Sequence, residues 1–115
     1  MVNFHKSIVG ALKSILPTYY EMILNRELSI PCISYMELSN ASRETGETIG
    51  YSAIQYQIKV WANKIEDLQN YASQIDNALR PLGWKRVGSN ELFDTASTMM
   101  QKILVYEATA LETFE

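Results

Sequence analysis

A general base needs a nucleophile within reach, and this chain has one histidine to offer, His5. It stands in "NFHKSIVGALKSIL", where apolar residues recur at helical spacing. An imidazole in the first turn of such a helix is an ordinary exposed or half-packed residue. One histidine also cannot build a His-rich metal site. The single cysteine, Cys32, lies in "PCISYMEL". A thiol becomes a nucleophile when a cation or a helix N-terminus lowers its pKa. In an alternating strand it is more simply a small packing residue. Thirteen carboxylates are spread along the chain, and spacing singles out no pair of the kind that glycoside hydrolysis needs. "TGETIG", residues 45–50, has two glycines but lacks the lysine and hydroxyl residue of a phosphate-binding loop. The expectation is a protein that is not an enzyme, with no catalytic residue, no cofactor and no metal.

Chemistry of association is better represented. Trp61, Trp84 and seven tyrosines are the residue types that anchor interfaces. Gln55, Gln57 and Lys59 alternate with apolar residues and form one polar strand face, which a neighbouring subunit could cover with little charge to desolvate. Arg43, Glu44 and Glu47 fall in "SNASRETGETIG", residues 39–50, which reads as a long polar loop or mobile hairpin tip. The candidate interface is therefore Arg43, Glu44, Glu47, Gln55, Gln57, Lys59 and Trp61.

The elements that position these residues follow from periodicity. Phe4, Ile8, Leu12 and Ile15, widened by Val9 and Leu16, predict a helix over residues 3–16 that Pro17 ends. "TYYEMIL" predicts a short strand. "CISYMEL" predicts another, with Cys32, Ser34, Met36 and Leu38 on one face and Ile33, Tyr35 and Glu37 on the other. Ile54, Tyr56, Ile58 and Val60 then mark the apolar side of a third strand, with Trp61 on its polar side. The period changes at Asn63, an expected helix cap with Glu66 three residues on. Ile65, Leu68, Ala72, Ile75, Leu79 and Leu82 form the stripe of the second helix, which Pro81 and Gly83 stop. "GWKRVGSNELFD" predicts two short strands around a turn at Gly88-Ser89-Asn90. "STMMQKILVYEATAL" is apolar on both faces and predicts a central strand.

The fold class is α+β: an antiparallel sheet of about four to five strands with two main helices on one face. With 115 residues the chain is one domain, 1–115. Net charge is −3, and the ten Lys and Arg residues are not clustered, so no basic face for nucleic acid is expected. No apolar run is long enough to span a bilayer as a helix.

Three features together resemble one family. They are the P-x-I-S-Y strand from Pro31 to Tyr35, the I-x-Y-x-I-x-V-W strand from Ile54 to Trp61 before an acidic helix, and the L-G-W from Leu82 to Trp84. The pattern covers about Phe4 to Ala108 and resembles the tail completion or tail terminator proteins of long-tailed bacteriophages. The resemblance implies a virion protein of the tail or neck, present in the host cytoplasm during assembly. It implies a ring of identical subunits, a hexamer, that caps the head-proximal end of the tail tube and ends its polymerisation. The implied partners are further copies of itself, the tail tube protein and the head-completion or connector protein. Genomic DNA would pass through the lumen without specific binding. Three other readings stand beside it: another phage neck or tail-tube subunit, a small cellular α+β ligand-binding or regulatory module, and an enzyme whose site only the fold assembles.

Overall fold

Two periodicities, one of 3.6 residues and one of two, set the layers of this molecule. The computed structural model describes residues 5–20, 30–44, 49–94 and 99–113. Their order is α1 (His5–Lys13), β1 (Thr18–Tyr20), β2 (Cys32–Glu44), β3 (Ile49–Ala62), α2 (Ile65–Leu79), β4 (Lys85–Asp94) and β5 (Met99–Thr113), with a 3₁₀ turn at Arg80–Leu82. The strands make one sheet in the order β1-β2-β3-β5-β4. Pairs β2–β3, β3–β5 and β5–β4 are antiparallel. The α+β class and the two-helix layer are as expected. The sheet is not wholly antiparallel, because β1 runs parallel to β2.

Both helices pack on one face. Ile8, Val9, Leu12 and Leu16 from the α1 segment meet Leu68, Ala72, Ile75 and Leu79 of α2. Beneath them lie Ile33 and Tyr35 of β2, Ile54, Tyr56, Ile58, Val60 and Ala62 of β3, and Leu104, Tyr106 and Ala108 of β5. Each large aliphatic side chain buried here contributes about 1.5–3 kcal/mol. Ile65 and Leu82, expected in the same stripe, stay about half exposed at the two ends of the α2 segment. The apolar alternation of β3 therefore marks the core side correctly, and β5 is an interior strand.

Local chemistry explains the element ends. α1 stops at Lys13, earlier than expected; the Leu12 carbonyl accepts the amides of Ile15 and Leu16, and Pro17 follows. The expected start at Asn3 lies outside the described residues. α2 is capped by Lys64 in extended conformation, with no side-chain cap bond. Asn63 is thus not the cap: the helix begins one residue later than its side chain would need. Glu66 and Asp67 still sit in the first turn, where the helix dipole favours them. Gly83 adopts φ 94°, a left-handed conformation that glycine takes without strain, and the Trp84 amide donates back to the Leu79 carbonyl.

Two further expectations are corrected. Residues 39–44 and 49–50 are not loop: they pair along a long β2–β3 hairpin, with Ser39 opposite Gln55 and Glu44 opposite Gly50. Backbone pairing needs no apolar side chains, so a polar strand segment escapes a reading based on alternation. The hairpin tip, residues 45–48, lies outside the described residues. Gly88-Ser89-Asn90 is not a turn either. β4 is continuous, and its irregularity is a bulge between Arg86 and Gly88 that leaves Val87 about half exposed. A matching bulge between Glu37 and Ser39 leaves Leu38 unpaired in the ladder and 43% exposed.

The last described core residues toward the hairpin tip are Ile54 and Ala108. Strand β3 continues from there to Ile49 and β5 to Thr113, with β2 alongside as far as Glu44. A three-stranded arm of β2, β3 and β5 thus continues beyond Ile54 and Ala108, in a molecule with a long axis of 53 Å against 27 and 22 Å for the others.

Candidate assembly surfaces

The face of the sheet away from the helices carries most of the expected interface. Pairing places Met36, Gln57 and Val105 in one cross-strand row, with Ser34, Lys59 and Ile103 in the next. Gln55 lies beside Glu107, and Trp61 beside Gln101. Met36, Gln55, Gln57, Lys59, Trp61, Gln101, Ile103, Val105 and Glu107 are all half-buried. The result is a broad face of amides and apolar side chains with few charges. The sequence reading placed Gln55, Gln57, Lys59 and Trp61 here correctly. It missed Ile103 and Val105, whose signal was present: a strand apolar on both faces in a protein with helices on only one must expose one apolar row.

Trp61 is held rather than loose. Its indole N–H donates to the Ser34 hydroxyl at 3.0 Å, and the Lys59 ammonium lies 6.0 Å from its ring centroid. That distance is the outer limit for a cation–π attraction. Ser34 is fully buried and Cys32 nearly so, although both lie on this outer side. Burial pushes the Cys32 thiol above its ordinary range, the opposite of an activated nucleophile. Arg43 and Glu44 lie in β2 opposite Tyr51 and Gly50, on the arm and away from the Gln55–Trp61 stretch. Glu47 lies outside the described residues.

The helix face is organised by aromatics. Tyr20, Tyr35, Tyr56 and Trp84 form a chain with centroid separations of 5.5, 6.4 and 5.5 Å, the last pair edge-on at 82°. Desolvation, with smaller contributions from Glu37 and neighbouring tyrosines, pushes the Tyr56 hydroxyl up to about 12. Tyr106, fully buried, donates to Asp76 at 2.9 Å, and desolvation followed by that bond raises it further. Asp76 also pairs with Arg80 at 2.6 Å.

Beside α2 the helical layer ends, and a polar slot of about 420 Å³ opens toward edge strand β4. Gln69, Ser73 and Asn77, at steps of four along α2, line one wall; Arg86 and Lys102 line the other. Lys102 is paired with Glu91 at 2.8 Å. Arg86 has no ion-pair partner among the described residues. These residues were not singled out by sequence, because they come together only when β4 pairs with β5. No group of three or more potential metal ligands occurs among the described residues, and no helix there is long and apolar enough to cross a membrane.

The architecture has a counterpart among known proteins, although the sequence alone finds none. No protein-family model matches the chain. No curated protein matches it either. Among solved structures, the chain is similar to one from the virion of a native gene transfer agent particle, with a TM-score of 0.67 at 15% sequence identity. The similarity covers 93% of this chain and 84% of that one. At that identity the likeness is one of fold: a five-stranded α+β sheet with two helices on one face.

Proposed function

We propose that this chain is a structural subunit of a tailed virion, and within that class a tail terminator. It forms a ring, a hexamer, at the head-proximal end of the tail tube, stops tube growth and offers the opposite side of the ring to the head connector. The observation that carries the reading is the near-complete fold likeness to a virion chain. The Pro31–Tyr35, Ile54–Trp61 and Leu82–Trp84 patterns support it from the sequence side. The broad half-buried outer face, with its amides, Ile103, Val105 and Trp61, suits contact with other subunits. Its chemistry is that of association, with no reaction to perform.

Subunits with modest polar interfaces associate weakly in pairs. Docking on a symmetric tube raises their effective concentration and closes the ring. The test is electron microscopy of the purified protein before and after adding purified tail tubes. The expected result is small species alone and a single closed ring at one end of each tube. Unlimited polymerisation of the pure protein would instead make it a tube subunit. No binding to tube ends would overturn the terminator reading.

A further inference from the structure

The two lateral flanks of the sheet carry matched features at the same level. Glu37 pairs with Tyr56, Tyr56 with Tyr106, and Tyr106 with Arg86. One cross-strand row on the helix face thus runs from an exposed carboxylate on the β2 flank to an exposed guanidinium on the β4 flank. Each charge is followed at once by a bulge that extrudes an apolar residue. Leu38 follows Glu37 and is 43% exposed; Val87 follows Arg86 and is 47% exposed. Tyr20, 38% exposed, stands on the β2 flank opposite Tyr35, two residues before Glu37. Arg86 lies on edge strand β4, and Glu37 lies just past Tyr35, the last β2 residue paired with β1; a bulge beside a charge at such a position blunts indiscriminate strand pairing. Here it also makes one flank acidic with an apolar knob and the other basic with an apolar knob.

We infer that neighbouring copies of this chain meet head to tail through these flanks, the Arg86–Val87 side of one against the Glu37–Leu38 side of the next. This rests on the ring reading above and names the contact that closes the ring. The occupant is a second copy because the complement of each flank is the opposite flank of the same chain. Unlike surfaces joined by a rotation generate rings, whereas like-to-like contact would give a two-fold dimer. The slot beside α2 leaves the Arg86 side chain reachable from the flank.

Charge reversal tests it, with rings counted at the ends of purified tail tubes by electron microscopy. Glu37→Arg alone sets two guanidinium groups against each other at every junction. Arg86→Glu alone sets two carboxylates against each other. Each single variant is expected to stay folded by circular dichroism and to lose its rings. The double variant restores them. An equal mixture of the two single variants also restores them, because alternating copies bring like charges apart and opposite charges together, and a hexamer holds an even number of copies. Rings that form with either single variant would overturn this contact while leaving the terminator reading intact. Recovery only of a two-copy species, or no recovery in the double variant, would overturn it too. A wild type that forms no ring on tubes would remove both.

Discussion

Ile58 and Gln57 are adjacent in β3 and face opposite worlds, which makes them a sharp test of the layer assignment. Ile58 is fully buried between Tyr35 and Leu104 in register and beneath the helices. Replacing it by alanine removes three carbons, worth about 2.4 kcal/mol of transfer free energy at about 0.8 per carbon. The cavity left behind adds to that, within the overall range of about 2–5 kcal/mol for such truncations. With a urea m-value of about 1–3 kcal/mol/M, the midpoint should fall by about 1–2 M. Ile58→Asp goes further. A carboxylate there ionises only against a pKa rise of about 3–5 units, or about 4–7 kcal/mol. Added to the lost burial, that matches a typical total stability of about 5–15 kcal/mol, and the variant should not fold. Gln57→Ala and Gln57→Asp change a half-buried residue of the open face and should cost about 0.5–1 kcal/mol. The assay is urea unfolding followed by far-UV circular dichroism. Equal midpoint shifts for Ile58→Ala and Gln57→Ala would refute the placement of the helices on the Ile58 side.

Four other outcomes are expected. Trp84→Ala removes a side chain 2% exposed and stacked edge-on against Tyr56, so it should cost about 3–5 kcal/mol in thermal or urea melts. Gly83→Ala forces a side chain into φ 94° and should cost about 1–2 kcal/mol by the same assay. Cys32 should resist a thiol reagent at pH 8 in the folded protein and react promptly in urea, since burial both shields it and keeps it protonated. Tyr56 has a folded pKa raised above the ordinary 10, so its contribution is fully present below pH 10 and is lost as pH rises toward about 12. Two units correspond to about 3 kcal/mol, and Tyr56→Phe should flatten the alkaline decline in stability between pH 10 and 12.

The parts of this fold that were legible in the sequence are those where side-chain burial follows one period. Ile54, Tyr56, Ile58 and Val60 alternate because one face is dry, and Leu68, Ala72, Ile75 and Leu79 repeat because one helix stripe is dry. Where pairing alone makes the structure, the pattern is silent. Ser39–Glu44 are polar and still form strand, because their partners are backbone groups of β3. Gly88-Ser89-Asn90 has turn composition, yet β5 alongside supplies ladder partners that a local reading cannot see. The parallel β1–β2 pair is likewise a fact about which distant segments meet. The candidate surface divides the same way. Gln55, Gln57 and Lys59 could be assigned to a face from their own strand, whereas the Glu37–Arg86 row crosses four strands and exists only once the sheet order is known.

The three-stranded arm past Ile54 and Ala108 has a mechanical consequence. Five residues of extended chain carry the arm about 16 Å beyond Ile54 and Ala108. Ladder hydrogen bonds join its three strands laterally, so a tilt moves them together as one lever. A tilt of about 10° at its base would carry its far end about 3 Å over that length, close to one residue of strand rise. Small adjustments in how a subunit seats thus become displacements as large as a full step of register at the far end. Such a lever matches its reach to the surface in front of it by a small tilt at its base alone.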